Sequence, residues 1–185
     1  PPSDADGSSR CWVTDNVAGN SDVDGGITIL TSPALDATAA DSVIEYWRWY
    51  SNGFGGGPNE DVFDVRVSDD NGGSWLLLEQ VGPGGPEASG GWYYVQHDLA
   101  SVSGLEPSSQ FRVRFEASDY VNGSVVEAAV DGIRLSSIDC ESCTGDIDGN
   151  GTVDVEDILD AIAGFGTDYD VDDILLVIGA FGTDC

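Results

Sequence analysis

The stretch Gly145-Asp-Ile-Asp-Gly-Asn-Gly-Thr-Val-Asp-Val-Glu-Asp157 constrains its end of the chain more tightly than any other feature of the sequence. Asp146, Asp148 and Asn150 alternate at loop positions 1, 3 and 5. Gly151 stands at position 6, where the backbone must turn sharply, and Thr152 brings a carbonyl to position 7. Asp154 falls at position 9 and Asp157 at position 12. A hard divalent cation takes six to eight oxygen ligands, and this spacing folds such oxygens around one centre. The stretch therefore reads as a calcium loop with ligands Asp146, Asp148, Asn150, Thr152, Asp154 and Asp157.

The chain repeats itself beyond the loop, at an offset of 16. Asp154-Val-Glu-Asp-Ile-Leu159 returns as Asp170-Val-Asp-Asp-Ile-Leu175, and Ile162, Phe165 and Gly166 return as Ile178, Phe181 and Gly182. A repeat of this kind is one supersecondary unit used twice. Ile158, Ile162 and Phe165 are spaced i, i+4, i+7, which predicts an apolar helical stripe, and the two stripes are expected to pack on each other. Glycines 164, 166, 179 and 182 end or loosen both helices. The second copy lacks the front of its loop, because position 1 would fall on Ile162. Asp168, Asp170 and Asp173 leave it at best a partial second site. Asp160-Ala161 becomes Leu176-Val177 in the second helix. That extra apolar pair is read either as local core or as a face for a binding partner.

The loop ends in Asp rather than Glu, and no helical pattern precedes Asp146. In both respects, and in its duplicated helix, the segment 143–185 resembles the type I dockerin, a small module that joins secreted proteins to cohesin partners. The resemblance implies one helix after each calcium loop and a docking role. Dockerins carry two full loops, and hydroxyl residues late in each loop help select the cohesin. Here those places hold Val155-Glu156 and Val171-Asp172.

The remainder is a run of short strands. Ile27–Leu30, Val43–Tyr50, Val62–Ser68, Trp75–Glu79, Trp92–Val95, Phe111–Phe115 and Val125–Leu135 are separated by Gly- and Pro-rich turns. That pattern predicts a β-sandwich. In Val43–Tyr50, Val43, Glu45, Trp47 and Trp49 share one face and Ile44, Tyr46, Arg48 and Tyr50 the other. A sandwich core could use the bulk of the two tryptophans. Asp69–Gly73 is a hairpin turn, inside the spacing Ser68-x-Asp70-x-Gly72-x-x-Trp75. The spacing resembles the Asp-box of sialidase propellers, where it is structural. Asp22-Val-Asp-Gly-Gly26, Asn59-Glu-Asp-Val-Phe63 and Ser124–Ile133 resemble the MAM-like jelly-roll modules of large secreted bacterial proteins. That resemblance implies a structural calcium near the joined first and last strands, for which Asp22, Asp24, Glu127 and Asp131 are the matching residues. The fold class expected is mainly β. Residues 1–10 are a loose polar segment, 11–140 a jelly-roll β-sandwich, and 143–185 a small α-helical calcium-loop module.

Charge and cysteines bound the setting. The formal net charge is −28, with six Arg and no Lys. Such a chain repels nucleic acid and anionic membranes. The longest apolar run, Ile174–Phe181, is too short to span a bilayer. The chain has no Met and opens Pro-Pro, as a processed mature form would. Four cysteines allow three pairings. Cys11–Cys140 and Cys143–Cys185 would each clasp the ends of one module, and imply an oxidising extracellular or cell-surface location. Zinc at Cys140-x-x-Cys143 is the competing reading, with His97 the sole histidine.

No nucleophile elbow surrounds any Ser and His97 stands alone, so no enzymatic activity is expected. The expected function is a secreted, calcium-binding structural or assembly protein. Its helix pair would dock on a protein partner, or head-to-tail on the jelly roll of the next copy to build a filament. The alternatives are a carbohydrate-binding adaptor using aromatic side chains on a polysaccharide, or a fragment of a larger secreted polysaccharide-degrading enzyme.

Overall fold

The computed structural model describes residues 1–15, 22–120, 123–137 and 144–183. It divides into two compact units, Pro1–Ser137 and Ile138–Cys185. The first is a sandwich of two antiparallel sheets, consistent with a jelly-roll-like fold. Its strands are β1 (Trp12–Val13), β2 (Gly26–Thr31), β3 (Val43–Gly55), β4 (Phe63–Ser68), β5 (Leu76–Val81), β6 (Ser89–Asp98), β7 (Arg112–Asp119) and β8 (Ser124–Ser136). One sheet runs β1-β8-β3-β6 and the other β2-β7-β4-β5. The second unit holds two helices, α1 (Val155–Ala163) and α2 (Val171–Ala180).

The period-2 pattern of β3 selects its inward face. Ile44, Tyr46, Arg48 and Tyr50 are buried, while Trp47 and Trp49 sit on the outer face. The two tryptophans are therefore not core residues. The core is instead Ile44, Tyr46 and Tyr50 against Phe63, Val65 and Val67 of β4 and Val113 and Phe115 of β7. Burying each such side chain contributes about 1.5–3 kcal/mol. Tyr50, Phe63 and Phe115 stack in sequence with centroids 5.6 and 6.3 Å apart, and Tyr46 meets Phe115 edge-on at 5.1 Å.

An ion-paired network enters this core from β3. Arg48 Nε and Nη2 donate to Glu79 Oε1 at 2.9 and 2.6 Å, and Nη2 also reaches Glu87. Tyr46 Oη donates to Glu79 Oε2 at 2.8 Å and lies 3.3 Å from His97 Nε2. Burial lowers the His97 pKa below its ordinary value, with Arg48 adding to the effect and Glu79 opposing it. A depressed folded pKa means the neutral ring is favoured in the native state. Its contribution is complete above the unfolded value of about 6.5 and is lost as pH falls through the folded value. Thermal midpoints of the sandwich should therefore drop between neutral pH and pH ~5. Part of that drop should disappear in His97→Gln, measured by scanning calorimetry across that range.

The Asp69–Gly73 turn forms as its spacing requires. Asp70 accepts the Ser74 N–H at 2.8 Å and the Ser68 and Ser74 hydroxyls at 2.7 and 2.8 Å. These bonds, the Ser74 N–H first, hold its carboxyl down at about 2. Trp75 donates to the Gly72 carbonyl, and the Arg114 guanidinium lies 4.2 Å over the Trp75 ring.

Residues 1–10 are not loose. Ala5 and Asp6 donate their N–H groups to Asp131 Oδ2 at 2.8 and 3.3 Å, and Trp92 Nε1 donates to the Ser3 carbonyl at 2.9 Å. The segment thus lies on the outer face of the sheet that carries Trp92 and Asp131. On that face Trp47 stands opposite Tyr94 and Trp49 opposite Trp92, and the Trp47 and Tyr94 rings are 5.3 Å apart.

Candidate metal centre

The loop 145–157 closes on its own carboxylates. Asp146 Oδ1 accepts from the Gly149 and Asn150 N–H groups at 2.9 and 3.1 Å, and its Oδ2 from Gly151 at 3.0 Å. Asp148 accepts from the Asn150 backbone and side-chain amides, both at 2.9 Å, and Asn150 Oδ1 accepts from Thr152 at 2.9 Å. Gly151 has φ 90°, a left-handed conformation that a β-carbon would strain, so position 6 needs glycine. Asp157 reaches back from the first turn of α1. It is fully buried and accepts from Asp154, Ile147 and Asp148 at 2.8, 2.6 and 3.2 Å. Those N–H groups, Asp154 first, hold its carboxyl below the usual range against the opposing effect of burial. One oxygen from each of Asp146, Asp148 and Asp157 lies within 4.8 Å of the others, a group that could hold a metal ion.

The expected ligand set divides in two. Asp146, Asp148 and Asp157 converge. Asp154 is the N-cap of α1, accepting from Glu156 at 2.7 Å, and Asn150 and Thr152 are tied to each other across the turn. The converging set is carboxylate oxygen alone, with no sulfur or imidazole, and fits a hard cation rather than zinc.

The second copy uses its acids differently. Asp170 caps α2, accepting from Asp172 and Asp173 at 2.8 and 3.3 Å, and Asp173 accepts from the Asp170 N–H at 2.8 Å. That is a capping box, the same one Asp154 and Asp157 make on α1. Asp168 bonds Thr167. Among the described residues these three acids do not form a metal-holding group, because the chain before Asp168 supplies a glycine turn rather than alternating ligands.

The jelly-roll quartet does not come together either. Glu127 and Asp131 lie four residues apart on β8, opposite Ser51 and Trp47, which separates them by about 13 Å of extended strand. The Val23–Val126 bridge sets Asp22 and Asp24 beside the Glu127 end. Asp131 groups instead with Asp4 and Asp6. The Asp4-Ala-Asp6 spacing repeats that of Asp146-Ile-Asp148, a signal the reading of residues 1–10 as loose passed over. Cys11 has no disulfide among the described residues. Cys140, Cys143 and Cys185, and with them both expected bridges and the zinc reading, lie outside those residues.

The helix pair packs on a different stripe from the expected one. Val153, Ala161 and Val177 are buried, with Ile147, Ile158, Ile174 and Ala180 against them. Ile162 and Phe165, expected in that core, are exposed. Of the pair expected to face a partner, Leu176 is exposed but Val177 is 1% exposed and belongs to the core. The exposed apolar side chains come in repeat-related pairs: Val155 and Val171, Leu159 and Leu175, Ile162 and Ile178, Phe165 and Phe181, each more than half exposed. On both helices the first three are spaced i, i+4, i+7, one stripe turned to solvent.

No family model matches the sequence, and no curated protein matches it. Among solved structures, one described as "CBM4 structure and function", a carbohydrate-binding module, aligns with 60% of this chain and 72% of its own at 12% identity and a TM-score of 0.35.

Proposed function

We propose that this chain is a secreted, non-catalytic docking protein whose C-terminal helix pair is held in shape by calcium in the loop 145–157. Its duplicated apolar stripe binds a partner protein. The observation that carries this reading is the set of four repeat-related apolar pairs turned to solvent. Exposed large apolar side chains at this density mark interaction surfaces. A structural role for them inside the module is already filled by Val153, Ala161 and Val177. Calcium is the cation of choice because every converging ligand is an oxygen and the loop has the alternating spacing of a calcium loop.

The chemistry of the partner is set by charge. Residues 144–183 include no Lys, Arg or His. An apolar face ringed only by carboxylates is complemented by an apolar face ringed by Lys and Arg. Another copy of this chain is a poor match. Of the six arginines, Arg48, Arg66, Arg114 and Arg134 pair with acids of the sandwich and Arg112 bonds Asn71 and the Ser32 carbonyl, which leaves Arg10 outside these pairings among the described residues. The rest of the surface is dominated by Asp and Glu, so head-to-tail stacking would press like charges together. Self-assembly into a filament is thus the weaker form of the docking reading.

Leu159→Asp with Leu175→Asp should reduce partner affinity on the order of 100-fold. It should leave helical content unchanged, since neither side chain is buried. The test immobilises the calcium-loaded full chain and presents proteins secreted by the source organism. A partner retained by the wild type, released by chelator and not retained by the double variant supports the reading. Equal retention by both, or retention indifferent to chelator, overturns it. Light scattering of the same samples shows whether the partner is a second copy.

A second reading has an observation of its own. Trp49, Trp92 and the half-exposed Tyr94 lie with Trp47 on the outer face of one sheet, where rings can stack on sugar. A polysaccharide would then be what the docked partner is tethered to. Retention on a glycan array that Tyr94→Ala abolishes would favour it.

A further inference from the structure

The edges of the two sheets are not alike. β1 and β6 bound one sheet, β2 and β5 the other. A free edge offers unpaired N–H and C=O groups to another strand, and proteins blunt it with charge, bulges or brevity. Among the described residues β2 alone lacks such a device. β1 is two residues long. β5 shifts register against β4 and carries Glu79. β6 shifts register against β3 and ends in Asp98. β2, Gly-Ile-Thr-Ile-Leu-Thr, pairs with β7 in unbroken register. No residue from Gly25 to Leu35 carries a charge.

The ladder shows what this edge presents. The Ser32 N–H donates to the Val113 carbonyl at 2.9 Å, so by alternation Thr28 and Leu30 also turn their N–H and C=O groups to β7. Ile27, Ile29 and Thr31 turn theirs outward, where no other strand among the described residues meets them. The Ile27 and Ile29 side chains are exposed on the outer face. The nearest charges beside them there, Glu116 and Arg114, pair with each other. Inward, Thr28 and Leu30 border an apolar gap of about 140 Å³ between the sheets, lined also by Trp12, Val13, Phe63 and Phe115.

We propose that β2 is the contact strand of a dimer, pairing antiparallel with β2 of a second copy of this chain about a twofold axis at Ile29. In that register Ile29 meets its own counterpart and Ile27 meets Thr31, so all their outward backbone groups find partners. Thr28 lies beside the second copy's Leu30, which extends the apolar wall of the gap. A strand laid here must be apolar at alternate positions and free of charge. β2 itself is both, and an antiparallel pair about a twofold axis is self-complementary. The like charges that weigh against stacking through the helices are absent from this strip. The contact is independent of the helix stripe.

Sedimentation equilibrium of the full chain tests it. One strand pair is a small interface, so the dimer should have a Kd on the order of 10 µM. Both copies carry a net charge of −28, so the dimer should tighten severalfold as NaCl rises from about 0.05 to about 0.5 M, whereas a contact between opposite charges would loosen. Ile29→Lys sets two lysines across the axis and should raise Kd on the order of 30-fold. Leu77→Lys makes the same charge change on β5, at a side chain equally exposed at 49%. It should leave Kd within about twofold, and so should Leu159→Asp with Leu175→Asp, both being remote from β2. A wild type that stays monomeric at about 0.5 mM in the higher salt overturns the proposal whether or not the variants fold. So does a dimer that survives Ile29→Lys, one that Leu77→Lys weakens equally, or one lost with the helix double variant.

Discussion

Chelating calcium from the full chain should abolish the helical circular-dichroism signal of α1 and α2 while leaving tryptophan emission at ambient temperature unchanged. Among the described residues the helix pair has a small core: three buried apolar residues and four partly buried ones. Units of about 40 residues seldom fold on such a core without metal, disulfide or partner. The converging oxygens of Asp146, Asp148 and Asp157 lie within 4.8 Å of one another. Without a cation their charges repel, and the repulsion is relieved by opening the loop. Asp157 is the joint between loop and helix, because the same carboxylate takes N–H groups from Ile147, Asp148 and Asp154. Loop opening therefore uncaps α1. Asp157→Ala should give the same loss with calcium present, since three amides lose their acceptor at once. Helical signal that persists in chelator and in Asp157→Ala would show a module that stands on packing alone.

Arg48→Ala should be the most damaging single change in the sandwich. Arg48 is 3% exposed, and its guanidinium binds Glu79 through two nitrogens, with Glu87 as a further partner. Removing it leaves Glu79 charged beside the apolar core, with the Tyr46 hydroxyl as its remaining side-chain donor among the described residues. Breaking one side of a buried pair costs about 3–5 kcal/mol, which in a unit of this size lowers the melting midpoint by roughly 10 °C or more. Arg48→Met should cost less when paired with Glu79→Gln, because the second change removes the stranded charge. Calorimetry of the three variants separates the two terms. A fall of less than ~1 kcal/mol for Arg48→Ala would mean that the network adds nothing to the sandwich.

The fold was legible where side chains alternate. Phe63, Val65 and Val67 face the core as the period-2 pattern requires, and the Ser68–Trp75 spacing forms its turn. The face of β3 was harder to read, because both of its faces carry aromatics and only the partner sheet decides which is inside. Packing put the Tyr46–Arg48–Tyr50 face inward, where Glu79 and Glu87 meet the arginine. The loop acids were legible from spacing alone. Asp4 and Asp6 were not grouped with Asp131, because more than a hundred residues of chain separate them from it. The helix stripe failed for another reason. Both sides of these short helices are apolar, so an i, i+4, i+7 pattern fits the solvent side as well as the core. The repeat carried the missing signal: Val155, Leu159, Ile162 and Phe165 recur unchanged as Val171, Leu175, Ile178 and Phe181, whereas the buried Ala161 becomes Val177.

The most direct test is calorimetric titration of the chelator-washed full chain with calcium, beside Asp146→Asn with Asp148→Asn. The wild type should show a binding event that the double variant lacks, accompanied by recovery of helical signal in the wild type only. Isotherms that superimpose, with helices present in both from the start, would contradict a calcium-held helix pair.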